Sequence, residues 1–327
     1  APGGLKAPFI YARRMLNRLV QGSFAPEIFR EKRFREELPL VAANTSVFVD
    51  KYINPRLVGS FSQIGKGEYD AFVVGSDQVW RPRYFPGVQD AFLAFAKGWD
   101  VKRIAYAASF GTDELEYESD LLEKCVSLLG KFDAVSVREE AGLRMCSEWF
   151  DCDSAVHVLD PVMLLQAEKY RELAAHSSAH LSEGKIVTYI LDKTPHKQNV
   201  IDFVKRVSGL QTHDVSVNPY DKGIALEARV VPSLESWLAG VADAEFVVTD
   251  SFHGTIFSLI YNKPFMTLMN TKRGGARFIS LLTPLELTDR LFERVEQFYE
   301  NNALLDELDY TVANKKLDEI RTHSMNW

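Results

Sequence analysis

Four polar segments of this chain each follow a short apolar run, and each contains residue types that could do chemistry. The most informative segment, 250–255, places His253 directly before Gly254. A histidine can donate to an anion or exchange protons near neutral pH, because its reference pKa is about 6.5. If a helix begins in this segment, its free backbone N–H groups also favour an anion. His253 is therefore a functional candidate, with a purely structural histidine as the alternative.

Two other segments supply a carboxylate and a guanidinium. Asp77, in the string Gly-Ser-Asp-Gln-Val-Trp, could accept a proton or orient a sugar hydroxyl, or it could only cap a helix. Arg138 offers a forked donor that suits a carboxylate or a phosphate. Its structural alternative is an ion pair with Glu139 or Glu140.

The fourth segment, 270–277, combines a pair of glycines with three cations. Lys272, Arg273 and Arg277 surround the glycines, and this composition suits a mobile clamp for an anion. Simple solvation of the three charges is the alternative.

These segments are positioned by short apolar runs that alternate with helical patterns. The runs predict strands at 71–74, 104–108, 134–137, 156–159, 186–191, 214–217, 246–249 and 265–269. Helical patterns lie at about 114–130, 140–149, 167–176, 196–209 and 233–241, before a helix that ends near 261 and a charged helical segment at 300–323. Such alternation is typical of βαβ units and a parallel sheet. Ligands bind such sheets at the carboxyl ends of the strands, where the four segments fall.

The length of 327 residues favours two domains, since single cores usually stop growing near about 250 to 300 residues. A polar stretch after residue 176 marks the boundary. We expect an N-terminal Rossmann-like lobe over 1–178, with a basic helical start at 1–36. A C-terminal Rossmann-like lobe then spans 179–295, and a helical segment over 296–327 packs back on the lobes.

Composition excludes several classes of protein. A formal net charge of −7 argues against a dedicated nucleic-acid binder, which would normally carry a basic excess. Cys125, Cys146 and Cys152 form no Cys-x-x-Cys pair, so we expect reduced thiols and no zinc site. No apolar run approaches the roughly 18 residues of a membrane span, and residues 1–4 do not begin a signal peptide. These features predict a cytoplasmic protein.

The first 35 residues are basic and amphipathic. Seven arginines and lysines between residues 9 and 35 alternate with large apolar residues, which predicts one or two helices. The segment is either a solvated helical face or a contact, through 9–35, with an anionic membrane surface or an anionic polymer. The second reading would place the protein at the inner face of the membrane.

Taken in order, five strings resemble the successive motifs of the polysaccharide pyruvyl transferase family. They are YDAFVVGSDQVWRP, RIAYAASFG, DAVSVREEAG, VLDPVMLL and FVVTDSFHGTIFSLIYNKPF, and the resemblance runs from about Tyr69 to Leu291. It implies an α/β fold of two Rossmann-like lobes, similar to GT-B glycosyltransferases, with the active site between them. It also implies transfer of the pyruvyl group of phosphoenolpyruvate to hydroxyls of a sugar in a polysaccharide or lipid-linked precursor. A ketal forms, phosphate is released, and no cofactor or metal is needed.

The resemblance assigns roles to residues of the matching strings. His253 and Asp77 are the catalytic pair, and which of them is acid and which is base stays open. Expected contacts for the donor are Arg138, Ser251, Gly254, Arg273 and Arg277. Expected contacts for the acceptor are Gln78, Trp80 and Ser109.

The chain departs from the family pattern in two places. Ser251 stands where many members carry an arginine, so either positive charge comes from elsewhere, such as Arg273 or Arg277, or the donor binds more weakly. No segment matches the first strand and loop of the family, so we expect a first lobe without its N-terminal strand–helix–strand. Two other functions stay open at this point: a nucleotide-sugar glycosyltransferase, and a non-catalytic module that binds anions or glycans.

Overall fold

A computed structural model describes most of the chain. The described residues are 7–21, 28–177, 181–221, 223–270, 274–294, 297 and 308–327. Contacts divide the chain into two units, Ala1–Pro55 with Val217–Leu234, and Arg56–Ser216 with Glu235–Trp327. The larger unit contains both sheets described below.

The first sheet consists of four parallel strands in chain order. They are β1 Ala71–Val74, β2 Lys102–Ala108, β3 Ala134–Val137 and β4 Val156–His157. Helices α4 Ser119–Leu129, α5 Glu140–Phe150 and α6 Ala167–Ala174 connect or follow these strands. The described residues before Ala71 contain no strand. Since all four strands are parallel, the loops that carry Asp77 and Arg138 leave the same edge of the sheet.

Aromatic side chains fill the core of this lobe. Trp80 stacks on Phe92 with ring centroids 4.8 Å apart, and Phe92 stacks on Phe150 at 5.7 Å. All three rings are almost completely buried. Because large aromatic rings contribute much of the apolar area of a core, this stack fixes the loop after β1 firmly to the lobe.

The second sheet has five parallel strands whose order reverses once. The strands are β5 Lys185–Tyr189, β6 Gln211–Asp214, β7 Phe246–Thr249, β8 Phe265–Leu268 and β9 Leu291–Phe292, in the spatial order β6-β5-β7-β8-β9. The reversal falls between β5 and β7. Open parallel sheets bind ligands at such a switch point. The segment with His253 follows β7 directly and therefore lies at this point.

Four helices accompany this sheet, and one more follows it. They are α7 Pro195–Ser208, α8 Leu234–Ala242, α9 Phe252–Ile260, α10 Ala276–Leu282 and the last helix α11 Thr311–Asn326. Helix α11 reaches the first lobe, where Arg321 Nε donates to Met163 O at 2.8 Å. Next to α11, the hydroxyl of Tyr310 donates to Lys263 O of the second lobe at 2.6 Å. The C-terminal segment thus contacts both lobes.

The smaller unit is helical. It contains α1 Ala7–Gln21, α2 Arg30–Val41 and α3 Ala43–Phe48. The segment 217–234 is tied to α2 by an ion pair between Arg229 and Glu37 at 2.9 Å and by a hydrogen bond from Val231 N–H to Val41 O. Within the described residues, no helix combines the length and the apolarity needed to cross a bilayer.

The predicted α/β architecture of two Rossmann-like lobes is confirmed. Two predicted elements differ in extent, and one short strand was not predicted. The strand expected at 214–217 lies at Gln211–Asp214, because this edge strand is polar and gives no apolar signal. Helix α4 begins at Ser119 rather than near 114, since Glu118 is extended. Strand β9 has only two residues, too few for a periodic pattern.

The three cysteines are free thiols. Cys125 and Cys146 are buried in the first lobe, and burial raises the pKa of Cys125 to about 12. Thiols of this kind pack as small apolar side chains and are poor nucleophiles.

Candidate active site

Arg138 lies at the centre of a charged cluster at the carboxyl end of β3. Its side chain is fully buried. Nη1 donates to Asp160 Oδ2 at 2.7 Å, and Nη2 donates to Asp77 Oδ1 at 2.8 Å. Its guanidinium also lies 5.0 Å from the ring centroid of Phe252. A buried charge is costly unless it is paired, so the two carboxylates are what keep this guanidinium stable inside the protein.

Asp77 is the exposed member of the cluster. It lies in the turn after β1 with a φ of 58°, a conformation that Asp tolerates better than most residues. About 68% of its side chain is exposed. Burial would raise the pKa of its carboxyl, but the charge and hydrogen bond of Arg138 outweigh burial and lower that pKa below its usual value. Asp77 is therefore an ionised hydrogen-bond acceptor that solvent or a ligand can reach.

Asp160, at the end of the loop after β4, links Arg138 to the histidine. Its Oδ1 accepts the N–H of Val162 at 3.2 Å, which fixes the turn that begins at Pro161. Its Oδ2 accepts from Arg138 and lies 3.8 Å from His253 Nε2. Sequence reasoning missed this residue. The signal was present, because Asp160 also follows a predicted strand, but a carboxylate before proline resembles an ordinary helix cap.

His253 is in the first turn of α9 and is not sealed in a core. About 42% of its side chain is exposed. Burial lowers the pKa of the imidazole below 6.5, and the carboxylate of Asp160 opposes this effect in part. The imidazole is thus mainly neutral at pH 7 when no ligand is bound. A nearby anion would raise the pKa of the imidazole and favour its protonated form.

The turn before His253 is shaped by two neighbours. Ser251 caps α9 and accepts the N–H of Gly254 at 3.4 Å. A β-carbon at Gly254 would overlap Oγ1 of Thr249, so only glycine fits there. This close approach packs the start of α9 against β7, and the first N–H groups of the helix have no acceptor in a preceding turn. Ser251 is buried and capping, and its predicted donor contact stays a prediction.

Arg277 brings a second guanidinium close to the ring of Phe252. It is the second residue of α10, its guanidinium is 4.9 Å from the Phe252 ring centroid, and Nη1 is 3.9 Å from Asp77 Oδ1. Burial and the neighbouring charge of Arg138 lower the pKa of Arg277 to about 10. At neutral pH it is still a cation. Two like charges this close favour the binding of a further anion.

Glu139 is a further carboxylate next to Arg138. It is fully buried, and its Oε1 accepts from the hydroxyl of Ser109 at 2.8 Å and from the N–H groups of Phe110 and Gly111. Its Oε2 lies 3.8 Å from Arg138 Nε. Glu139 therefore orders the loop after β2. The Arg138–Glu139 ion pair, which was the structural alternative for Arg138, exists as a contact of 3.8 Å beside the shorter pairs with Asp77 and Asp160.

Two predicted acceptor contacts are wrong. Trp80 is fully buried in the aromatic core, and its indole N–H donates to Ala91 O at 3.1 Å. Ser109 is equally buried, and its hydroxyl is bonded to Glu139. Position after a strand does not reveal whether a side chain points out of the loop or back into the lobe, so the sequence did not separate them from Asp77.

Gln78 and Arg273 are two further residues that the sequence predicts at the site. Gln78 is half-buried, and its side-chain oxygen accepts from Arg81 Nη1 at 2.9 Å, next to the site. Arg273 lies outside the described residues, so its donor contact stays a prediction.

Two cavities open where the lobes meet. The first, about 430 Å³, is mainly apolar and touches the cluster at Arg138, Asp160 and Phe252. The second, about 580 Å³, is lined by charges of both signs, among them Arg81, Arg83, Asp113, Glu114 and Arg144. Glu140 and Ser280 border both cavities, and the N–H of Glu140 donates to Ser280 Oγ at 3.0 Å across the lobes.

Both lobes thus direct ionisable groups at one place: Asp77, Arg138 and Asp160 from the first, and His253 and Arg277 from the second. No curated protein matches the chain significantly. The family model for polysaccharide pyruvyl transferase matches residues 9–272, which include four of these five residues and the whole of the first sheet. The match covers well over half of the sequence, and this chain belongs to the polysaccharide pyruvyl transferase family.

Proposed function

We propose that this chain transfers the pyruvyl group of phosphoenolpyruvate to two hydroxyls of a sugar in a polysaccharide or a lipid-linked precursor, with a cyclic ketal and free phosphate as products. Family membership supports a transferase that acts on a polysaccharide. The observation that carries the finer proposal is the meeting of His253 with Asp160, Arg138 and Asp77 at the switch point of the second sheet.

The donor is a small molecule with a phosphate and a carboxylate, so it needs cations and free amides. The N–H groups of the first turn of α9 and the guanidinium of Arg277 supply them. Arg138 is already paired, but one of its partners, Asp77, is mostly exposed. We propose that an anionic group of the donor replaces Asp77 on Arg138. Asp77 is then released towards the acceptor, and its pKa rises because its main counter-ion has a new partner.

The environments of His253 and Asp77 suit these two residues to the proton transfers. His253, protonated in the field of the bound donor, gives its proton to the methylene carbon, and the adjacent carbon becomes an oxocarbenium-like centre. One sugar hydroxyl adds its oxygen to that centre and gives its proton to Asp77. The second hydroxyl displaces phosphate at the same carbon, and its proton leaves with the phosphate. Positioned acids and bases each contribute roughly 10² to 10⁴-fold.

We also propose that the transfer needs no metal ion. The leaving phosphate is stabilised instead by Arg277, Arg138 and the start of α9. The sugar is held in the charged cavity of about 580 Å³, whose carboxylates and guanidiniums can accept from and donate to its hydroxyls.

The test is phosphate release from phosphoenolpyruvate, with and without sugar acceptors, by enzyme dialysed against EDTA. His253→Gln should lower the acceptor-dependent rate by roughly 10² to 10⁴-fold, because it removes the acid while keeping the shape of the turn. His213→Gln is the matched control, since His213 is a half-buried histidine on β6 whose pKa burial also lowers. It should leave the rate unchanged.

Three results would count against the proposal. Phosphate release that does not depend on an acceptor, or that persists in His253→Gln, contradicts the proposed transfer with His253 as the acid. Binding of a nucleotide-sugar but not of phosphoenolpyruvate favours a glycosyltransferase. Binding of phosphoenolpyruvate with every acceptor tested but without turnover favours a binding module.

A further inference from the structure

Helix α1 exposes its apolar side chains and turns its other face inward. Met15, Leu16, Leu19 and Val20 have 51%, 63%, 82% and 79% of their surface exposed. At about 100° per residue these four positions cover one sector of about 140°. An amphipathic helix of a water-soluble protein normally buries such a sector. On α1 the sector faces out.

The opposite face of α1 is the one that packs. Arg14 Nη1 donates to Ile28 O at 3.1 Å, and the ring of Tyr11 lies 5.4 Å from that of Phe29. By helical spacing, Arg14 lies opposite the apolar sector, and Tyr11 lies next to Met15 at the edge of the sector. The helix is therefore fixed in this orientation by contacts of its own unit, and the exposure of the sector is a consequence of that packing.

All charged side chains of α1 are positive. The helix carries three arginines and no acidic residue, in a chain whose net charge is −7. Arg13 occupies a position at one border of the sector, about 20° beyond Val20. Basic residues beside an apolar stripe are the pattern of helices that lie in the interface of an anionic bilayer.

The cations of α2 do not add to this surface in the same way. Arg33 pairs with Glu37, and Lys32 lies 3.9 Å from Glu36, so acidic partners on the same helix offset these charges. Acidic residues thus offset positive charge on α2, whereas α1 has no acidic residue to offset its arginines.

We propose that α1 lies flat in the headgroup region of a membrane rich in anionic lipids. The stripe of Met15, Leu16, Leu19 and Val20 faces the acyl chains, and Arg13 faces the lipid phosphates. An anionic bilayer is favoured over a protein partner because it offers both an apolar layer and a uniform negative surface, which match both properties of this helix.

The test is sedimentation of the full chain with vesicles of phosphatidylcholine alone or mixed with phosphatidylglycerol. The protein should bind the anionic vesicles and not the neutral ones, and salt should weaken binding because it screens the attraction. Replacing Arg13 by Gln should lower the partition coefficient about fivefold. The double variant Leu16→Gln with Leu19→Gln should lower it more than about tenfold. Both leucines are exposed, so the fold is unaffected.

The matched control is Val47→Gln with Leu57→Gln, two aliphatic residues that are 66% and 90% exposed elsewhere. This control should bind like the unchanged protein. Absence of binding to anionic vesicles overturns the proposal, and so does equal loss in the control. If the α1 double variant instead converts a dimer to a monomer without a change on vesicles, the stripe is a contact between copies and the proposal fails.

Discussion

At the scale of single residues, the pKa of His253 is set by two opposing neighbours. Burial lowers the pKa, and the carboxylate of Asp160 at 3.8 Å opposes burial in part. Asp160 also holds Arg138, so one carboxylate orients both a histidine and a guanidinium. We regard Asp160 as a positioning residue, because it acts through these two neighbours.

Asp160→Asn tests this role. Without the carboxylate the pKa of His253 falls further, and the protonated imidazole is populated only at lower pH. Because the proposed acid must be protonated, the transfer rate falls as pH rises through that pKa, and in the variant this fall should begin at lower pH. Breaking a buried ion pair should also cost about 3 kcal/mol in the free energy of unfolding.

The readouts are the pH profile of transfer and denaturant unfolding. Asp133→Asn is the matched control, because Asp133 pairs with Lys102 at 2.8 Å on the surface and should change neither readout by much. An unchanged pH profile in Asp160→Asn would show that Asp160 has a structural role only.

At the scale of elements, a contact between two loops holds the lobes together beside the site. Gly274, in the loop after β8, has a φ of 101°, and a β-carbon there would overlap the carbonyl oxygen of Gly111 in the loop after β2. Arg277 follows three residues later, as the second residue of α10. The approach of these two backbones therefore fixes the distance between Arg277 and Asp77.

Gly274→Ala should push the loops apart. We expect a higher KM for phosphoenolpyruvate and a loss of stability greater than the roughly 1 kcal/mol that a positive φ alone costs an alanine. Gly184→Ala is the control, since Gly184 has a φ of 65° but no atom within 4 Å of its added β-carbon. If both variants lose the same stability and keep the same KM, the loop contact does not position the site.

Most elements could be predicted from the sequence because buried parallel strands are continuous apolar runs. Strands β1, β3 and β7 lie where the runs FVV, AVSV and FVVT predict them. The polar edge strand β6 and the two-residue β9 were not predicted correctly, since neither has an apolar run. Their existence depends on partner strands that are distant in sequence.

The candidate site was predictable only in part for a related reason. His253, Arg138, Asp77 and Arg277 follow apolar runs, and the structure brings them together. The inward direction of Trp80 and Ser109 comes from tertiary packing that local sequence does not encode. Asp160 was overlooked because a single acidic residue before a proline has a common structural explanation.

At the scale of the whole molecule, the site draws on the ends of five strands in two sheets. Loops of the first sheet contribute two carboxylates and a guanidinium, and loops of the second contribute an imidazole and a guanidinium. Neither sheet alone holds all five groups of the site. Helix α11 and the Glu140–Ser280 contact join the lobes on the side of the apolar cavity. The proposed chemistry therefore requires the assembled pair of lobes rather than either lobe alone.

The most direct test of pyruvyl transfer is the structure of the sugar product made in D₂O. Pyruvyl transfer predicts an acceptor heavier by pyruvic acid less one water, with a ketal methyl group that carries deuterium at the carbon protonated by the enzyme. His213→Gln should give the same product and His253→Gln should give none. A sugar product that carries phosphate, or an intact methylene group without deuterium, would overturn the proposed transfer.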